Sequence, residues 1–104
     1  MTPELKKRFD EETRSHKIVL YMKGNKLFPQ CGFSAATLQA LAPLGDVYTV
    51  DVLADPEVRD GIKQYTNWPT IPQVFINGQF VGGCDIVREL AERGELQQMV
   101  ASEG

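Results

Sequence analysis

Cys31 lies in the segment Pro29–Ser34, at a position where a redox-active protein often carries the first of two neighbouring thiols. Two cysteines separated by two residues form an internal disulfide, but Ser34 occupies the position of the second thiol here. An oxidised Cys31 would therefore need an external thiol for its reduction, unless a cysteine distant in sequence folds close to it. The segment is poorly suited to dithiol exchange and better suited to holding one thiolate for a ligand.

Cys31 is predicted to lie at the N-terminus of a helix, because an amphipathic run starts just after it. Unpaired backbone N–H groups and the helix dipole stabilise a thiolate there, and lower its pKa below the roughly 8.5 of a free thiol. Lys23 adds a positive charge on the same side, and the Ser34 hydroxyl can donate a hydrogen bond to the sulfur. The alternative, a small buried hydrophobic cysteine, is disfavoured by the polar loop with flanking proline and glycine.

The composition indicates one soluble domain of 104 residues, which is long enough for a single core. The net charge of -3 and the lack of a basic cluster argue against nucleic acid or an anionic membrane as the main partner. No apolar run approaches the roughly 18 residues of a membrane span, and the first residues resemble a charged helix rather than a signal peptide. Two cysteines are too few for a disulfide scaffold. We therefore expect a cytoplasmic protein in a reducing compartment, with no membrane association.

Hydrophobic periodicity and capping residues predict the order helix, strand, helix, strand, helix, hairpin, helix. Thr2 and Asp55 each precede a proline and mark the starts of two helices, and Asn77-Gly78 joins the two strands of the hairpin. The predicted helices run from Pro3 to about Ser15, from Phe33 to before Pro43, from Pro56 to about Tyr65, and from a cap at Asp85 through a break at Gly94 to Val100. The predicted strands are Lys17–Met22, Val47–Val52, Gln73–Ile76 and Gln79–Val81.

This order predicts an α/β fold with a four-stranded mixed sheet flanked by helices. Strand-helix-strand implies a parallel crossover, and the hairpin adds two antiparallel strands. The arrangement is similar to the thioredoxin-like fold, in which the reactive cysteine lies between the first strand and the helix that follows it. Cys31 is at that position.

Four motifs in this order and spacing resemble those of CGFS-type monothiol glutaredoxins. They are Lys23-Gly24, Cys31-Gly32-Phe33-Ser34, Trp68-Pro69-Thr70-Ile71-Pro72 and Gly82-Gly83-Cys84-Asp85. The resemblance covers essentially the whole chain, so that residues 1–104 are expected to form a single glutaredoxin domain. The insert Asn25–Gln30 is most similar to that of cyanobacterial and plastid members.

The resemblance implies that the protein binds glutathione. Lys23 and Arg59 match the family positions that face the glycine carboxylate, and Gln64 could assist Arg59. Ile71 matches the residue that precedes a cis-proline, and the backbone of this residue pairs with the cysteinyl unit. Cys84 and Asp85 match the positions that receive the γ-glutamyl end. Taken singly, Lys23 and Arg59 would be read as solvated surface charges.

The resemblance also implies a 2Fe-2S cluster bridged between two protomers, with Cys31 as the protein's metal ligand and two glutathiones supplying the other sulfurs. A homodimer would then transfer the cluster to iron-sulfur acceptor proteins. One alternative is a glutathione-dependent thiol-disulfide oxidoreductase acting through Cys31, and another is a regulatory module that binds BolA-type proteins. A slow disulfide between Cys31 and Cys84 also stays open, as do the acceptors and the oligomeric state without a cluster.

Overall fold

The computed structural model describes residues 1–102, and the predicted elements are all present in it. The helices are α1 (Pro3–Ser15), α2 (Gly32–Leu41), α3 (Pro56–Thr66), α4 (Cys84–Glu92) and α5 (Glu95–Ala101), and the strands are β1 (Ile18–Met22), β2 (Val47–Asp51), β3 (Gln73–Ile76) and β4 (Gln79–Gly82). A short 3-10 helix, Ala42–Leu44, follows α2. The predicted bounds coincide with these for α1 and β3 and differ by at most two residues elsewhere.

The predicted caps of α1 and α3 are confirmed. The Thr2 hydroxyl accepts a hydrogen bond from the N–H of Leu5 at 3.1 Å, and the Asp55 carboxylate accepts one from the N–H of Glu57 at 2.9 Å. Each bond satisfies a backbone donor that the first turn of a helix leaves without a partner. The predicted cap of α4 is wrong, because Gly83 holds that position and Asp85 lies inside the first turn.

The four strands form one mixed sheet in the order β2-β1-β3-β4. β1 is parallel to β2 and antiparallel to β3, and β3 is antiparallel to β4. The predicted four-stranded mixed sheet with flanking helices is therefore confirmed. β1 is buried along its whole length, as expected for a central strand whose two faces are both covered.

Alternate residues of β1 serve two separate cores, since successive side chains of a strand point to opposite faces. Val19 and Tyr21 pack on the face that α1 and α3 cover, together with Phe9 and Ile62. Ile18, Leu20 and Met22 pack on the face that α2, α4 and α5 cover. Both faces of the sheet are thus fixed by buried side chains, which holds the strand ends in place.

The carboxyl ends of the parallel strands β1 and β2 lie at the same edge of the sheet. The residues between β1 and α2, which include Cys31, follow directly from this edge. The turn after β2 lies beside them, since the N–H of Val52 donates to the carbonyl oxygen of Met22 at 2.9 Å. Within residues 1–102, no helix has both the length and the apolar character that a membrane crossing requires.

Candidate functional site

Cys31 is the N-cap residue of α2, as the sequence predicts. Its backbone is extended, with φ -154° and ψ 136°, and its carbonyl oxygen accepts a hydrogen bond from the N–H of Ala35 at 2.9 Å. The thiol is free and the residue is half-buried. Cys31 therefore places a partly accessible sulfur where the first N–H groups of a ten-residue helix have no intrahelical partner.

The surroundings of Cys31 lower the pKa of its thiol. The largest cause is the backbone N–H of Ser34, and the N–H of Phe33, the positive charge of Lys23 and the Ser34 hydroxyl act in the same direction. Partial burial of the sulfur acts in the opposite direction and raises the pKa. The net lowering favours the thiolate, which is the form that binds metals and attacks disulfides.

Ser34 connects the start of α2 to the end of β1. Its side chain is fully buried, and its hydroxyl oxygen accepts a hydrogen bond from the backbone N–H of Lys23 at 3.1 Å. The carbonyl oxygen of Lys23 accepts a second bond, from the N–H of Gln30 at 2.8 Å. Both polar groups of the Lys23 backbone are thus fixed next to Cys31.

The loop before Cys31 is ordered by its own polar groups. Gly24 has φ +86° and donates its N–H to the Asp51 carboxylate at 2.9 Å, and a side chain on Gly24 would collide with the loop backbone. The Asn25 side-chain oxygen accepts hydrogen bonds from the N–H groups of Leu27 and Phe28, both at 2.9 Å. The loop leaves Leu27 83% and Phe28 68% exposed, so two large apolar side chains close to Cys31 in sequence face solvent.

A cavity of about 440 Å³ adjoins this loop and brings together most of the predicted binding residues. Lys23, Arg59, Ile71, Cys84 and Asp85 all contribute to its walls. Phe33, in the first turn of α2, lines the cavity. Cys31 is absent from the lining among the residues that the structure describes. The thiol therefore lies next to the cavity rather than in its wall.

Three positively charged side chains line the cavity, those of Lys23, Arg59 and Lys63. None of the three forms a salt bridge with any residue in 1–102. These side chains are therefore available to an anionic ligand. Sequence reasoning missed Lys63, although it lies four residues after Arg59 in α3 and so on the same face of the helix.

The position of Gln64 does not support the expectation that it assists Arg59. Gln64 lies outside the lining of this cavity and faces a different depression, where its side-chain oxygen accepts a hydrogen bond from the amino group of Met1 at 3.1 Å. The reason is helical periodicity, because five residues along a helix lead to a different face than four. Lys63, not Gln64, accompanies Arg59 at the cavity.

Another part of the cavity wall is formed by the N-terminus of α4. The N-cap Gly83 has little room for a side chain, since an added Cβ would lie 3.2 Å from the carbonyl oxygen of Pro72 and 3.5 Å from Nε1 of Trp68. Asp85 is exposed in the first turn, where a carboxylate interacts favourably with the helix dipole. The N–H groups at this helix start can donate hydrogen bonds to an anionic group, while the Asp85 carboxylate can bind a cation.

The Trp68–Pro72 segment forms a third wall. The Ile71–Pro72 peptide bond is cis, as predicted from the motif. The indole Nε1 of Trp68 is buried and has no hydrogen-bond partner among residues 1–102. Trp68 also packs against Phe80, with ring centroids 5.7 Å apart. A buried donor without a partner is uncommon, and a ligand in the cavity is one way to supply an acceptor.

Two further side chains of types that can bind metals, His16 and Met22, have structural roles. His16 stacks on Tyr48 with ring centroids 3.9 Å apart, and Met22 is buried in the core. Within residues 1–102, no group of three or more histidine, cysteine, aspartate or glutamate side chains is arranged to hold a metal ion. Cys31 and Cys84 are both free thiols.

The comparisons with known proteins agree with this fold and motif set. The family model described as Glutaredoxin matches residues 18–81. The chain is 56% identical over 101 residues to an uncharacterized monothiol glutaredoxin ycf64-like protein of Synechocystis, covering 96% of this chain and 94% of that one. It is 47% identical over 94 residues to glutaredoxin 4 of Escherichia coli, covering 89% of this chain and 82% of that one.

A solved structure shows the same fold. The solution structure of reduced poplar apo GrxS14 superimposes with a TM-score of 0.84 at 49% identity, and the match covers 95% of this chain and 92% of that one. The match includes nearly the whole length of both proteins, and the chain therefore belongs to the monothiol glutaredoxin family, in its ycf64-like, cyanobacterial and plastid form.

Proposed function

We propose that this protein binds glutathione in the cavity beside Cys31 and, as a homodimer, carries a 2Fe-2S cluster that it transfers to acceptor proteins. The observation that carries the proposal is a single thiol with a lowered pKa next to a cavity that is lined by three cations and by the N-terminus of a helix. The serine at position 34 removes the neighbouring thiol that dithiol exchange would require. The activity proposed is therefore one that uses a single protein sulfur.

The size and the polar lining of the cavity support glutathione as its ligand. Its volume of about 440 Å³ lies within the range of roughly 300–1,000 Å³ found for small-molecule sites. Lys23, Arg59 and Lys63 would bind the glycine carboxylate, and the helix start at Cys84 with Asp85 would bind the γ-glutamyl end. The backbone of Ile71 would pair with the cysteinyl unit. The indole N–H of Trp68 could donate to a ligand carbonyl.

A cluster bound to this chain requires sulfur ligands from outside it. An iron-sulfur cluster of this type is held by four soft ligands, and one protomer offers Cys31 as its thiolate at the site. A glutathione thiol next to Cys31 would supply a second sulfur, and a second protomer with its glutathione would supply the other two. Iron-sulfur acceptor proteins would then receive the cluster, which is the cargo of the protein rather than part of it.

The apolar surface next to Cys31 supports an interaction with another protein. Leu27, Phe28 and Phe33 are 83%, 68% and 64% exposed, and all three lie within four residues of Cys31 along the chain. A second protomer would cover this surface in the cluster-bound homodimer. A BolA-type protein is the alternative occupant, in which case the chain would act as a regulatory module.

The lowered pKa of Cys31 also favours a second candidate function, glutathione-dependent disulfide reduction. The Cys31 thiolate would attack the glutathione sulfur of a mixed disulfide and release the substrate thiol. A second glutathione would then attack the Cys31–glutathione disulfide and leave as oxidised glutathione, which regenerates the thiolate. The lack of a second thiol at position 34 makes this cycle dependent on free glutathione.

Absorbance of the protein purified without oxygen separates the two functions. The cluster carrier is expected to be brown and to contain equal amounts of glutathione and protein chain. A colourless preparation with high turnover on a glutathionylated substrate would instead support the oxidoreductase. Ser34→Cys provides the matched comparison, since a neighbouring thiol would allow a local disulfide with Cys31 and raise the reductase activity.

The location expected from the sequence, the cytoplasm, remains part of the proposal. The relatives include proteins named as chloroplastic, in rice, and as mitochondrial, in yeast. Immunodetection of the protein in fractionated cells of its source tests the location.

A further inference from the structure

The buried side chain of Gln73 lies behind the Trp68–Pro72 wall of the cavity. Gln73 is the first residue of β3 and is fully buried, while the other three residues of that strand are apolar. Its side-chain nitrogen donates hydrogen bonds to the carbonyl oxygens of Trp68 at 3.0 Å and Thr70 at 3.1 Å. Because carbonyl oxygens only accept, the orientation of the amide is determined by these two contacts.

Thr66 completes the contact from the other side of the amide. Its hydroxyl lies 2.9 Å from the side-chain oxygen of Gln73, and the hydroxyl oxygen accepts a hydrogen bond from the backbone N–H of Trp68 at 3.2 Å. The Trp68 N–H is therefore shared between Thr66 and the carbonyl oxygen of Lys63, the latter at 3.2 Å, and the Trp68 carbonyl is bound by Gln73. These bonds hold the backbone that carries the indole ring of the cavity wall.

We propose that Gln73 is a positioning residue for the ligand cavity: its buried amide holds the Trp68–Ile71 backbone in the geometry that binds glutathione. This inference rests on the proposed function of the cavity. Gln73 does not line the cavity, so it acts through Trp68, Thr70 and Ile71, which do.

Packing alone does not explain a glutamine at this position. An apolar side chain of similar volume would fill the same buried space, but it would leave two backbone carbonyls without their donors. Those carbonyls could then be satisfied only by movement of the segment toward water. A change at Gln73 is therefore expected to move the cavity wall.

Gln73→Glu tests the proposal with almost no change of shape. The carboxylate has no N–H to donate and would face two carbonyl oxygens, whereas the protonated carboxyl can donate one hydrogen bond. Burial favours the protonated form, so lowering the pH should restore part of the contact within the same variant. Trp68 is the only tryptophan in the chain, so intrinsic fluorescence reports directly on this segment.

The expected result is a shift of Trp68 emission in the ligand-free variant and glutathione binding weaker by about tenfold or more at neutral pH, measured by calorimetry. Both changes should diminish at acidic pH relative to the unaltered protein. Thr13→Val is the matched control. Thr13 is a buried hydroxyl that donates to the carbonyl oxygen of Phe9 at 2.8 Å in α1, and its loss should affect stability but neither readout.

Thr66→Val gives a second test that does not place a charge in the core. It removes one of the two acceptors of the Trp68 N–H and leaves the carbonyl oxygen of Lys63 at 3.2 Å, so the emission should shift in the same direction by a smaller amount. Emission and glutathione affinity equal to those of Thr13→Val in both variants would overturn the proposal. If the unaltered protein failed to bind glutathione, the proposed function would fail, while the emission of the ligand-free variants would still show whether Gln73 positions the wall.

Discussion

The reactivity of Cys31 depends mainly on backbone groups and less on charged side chains. The N–H of Ser34 has the largest effect in lowering the thiol pKa, and Lys23 ranks below the N–H of Phe33. A lowered pKa could be predicted because the sequence indicates a helix start at Cys31. The dominant role of the Ser34 backbone could not, because it depends on how the first turn of α2 is oriented toward the sulfur.

The first prediction concerns the pH dependence of Cys31 alkylation. The rate of reaction with iodoacetamide should reach half its maximum at a pH below the roughly 8.5 that is the pKa of a free thiol, since the thiolate is the reacting form. Lys23→Gln should move the midpoint upward, because it removes one of the influences that favour the thiolate. Lys17→Gln, far from the site, is the control. Equal midpoints in all three proteins would remove Lys23 from the thiol's surroundings.

The second prediction concerns the three cations at the cavity. Replacing Lys23, Arg59 or Lys63 with alanine should weaken glutathione binding by about 1 to 3 kcal/mol each, because a charge-assisted contact to the glycine carboxylate is lost. Gln64→Ala is the matched control on the same helix, since Gln64 faces a different depression. Calorimetric titration measures all four. An effect at Gln64 equal to that at Lys63 would contradict the assignment.

At the scale of elements, the sequence predicts each helix and strand but not all of the contacts between them. Thr2 and Asp55 are recognisable caps because each precedes a proline. Asp85 is an aspartate like Asp55, yet it is not a cap. The close approach of Pro72 and Trp68 leaves the cap position to Gly83. That approach is a contact between residues distant in sequence, and no local sequence pattern predicts it.

The third prediction concerns the docking of α1 on α3 and its dependence on pH. The Tyr65 hydroxyl donates to the Asp10 carboxylate at 2.5 Å, and this bond is the main cause that lowers the pKa of Asp10. A carboxyl with a lowered pKa in the folded state stabilises the fold above its unfolded pKa, and this contribution is lost as the pH falls through the folded pKa. Tyr65→Phe should therefore lower the urea midpoint at neutral pH.

The difference between Tyr65→Phe and the unaltered protein should shrink in acid, where Asp10 becomes protonated in both. Tyr48→Phe is the control, because the Tyr48 hydroxyl makes a longer contact of 3.3 Å to Glu12 at the exposed surface. Urea unfolding at several pH values, followed by circular dichroism, measures the effect. A difference for Tyr65→Phe that stayed constant down to strongly acidic pH would show that Asp10 is not its source.

At the scale of the whole molecule, the sheet separates two cores and places the site at one edge. The sequence predicts this edge, because Cys31 follows the first strand of a parallel crossover. The chain carries a net charge of -3, but three cations line this one cavity. An excess of positive charge at this site is therefore a local property, which composition alone does not reveal.

The most direct test of the proposed cluster carrier compares the two cysteines in anaerobic reconstitution with iron, sulfide and glutathione. Cys31 is half-buried at a helix start with a lowered pKa, whereas Cys84 is buried at the start of α4. Cys84→Ser should acquire visible absorbance and sediment as a dimer, and Cys31→Ser should stay colourless and monomeric. Omitting glutathione should abolish both changes in the unaltered protein. A Cys31→Ser variant that kept the cluster while Cys84→Ser lost it would contradict the account.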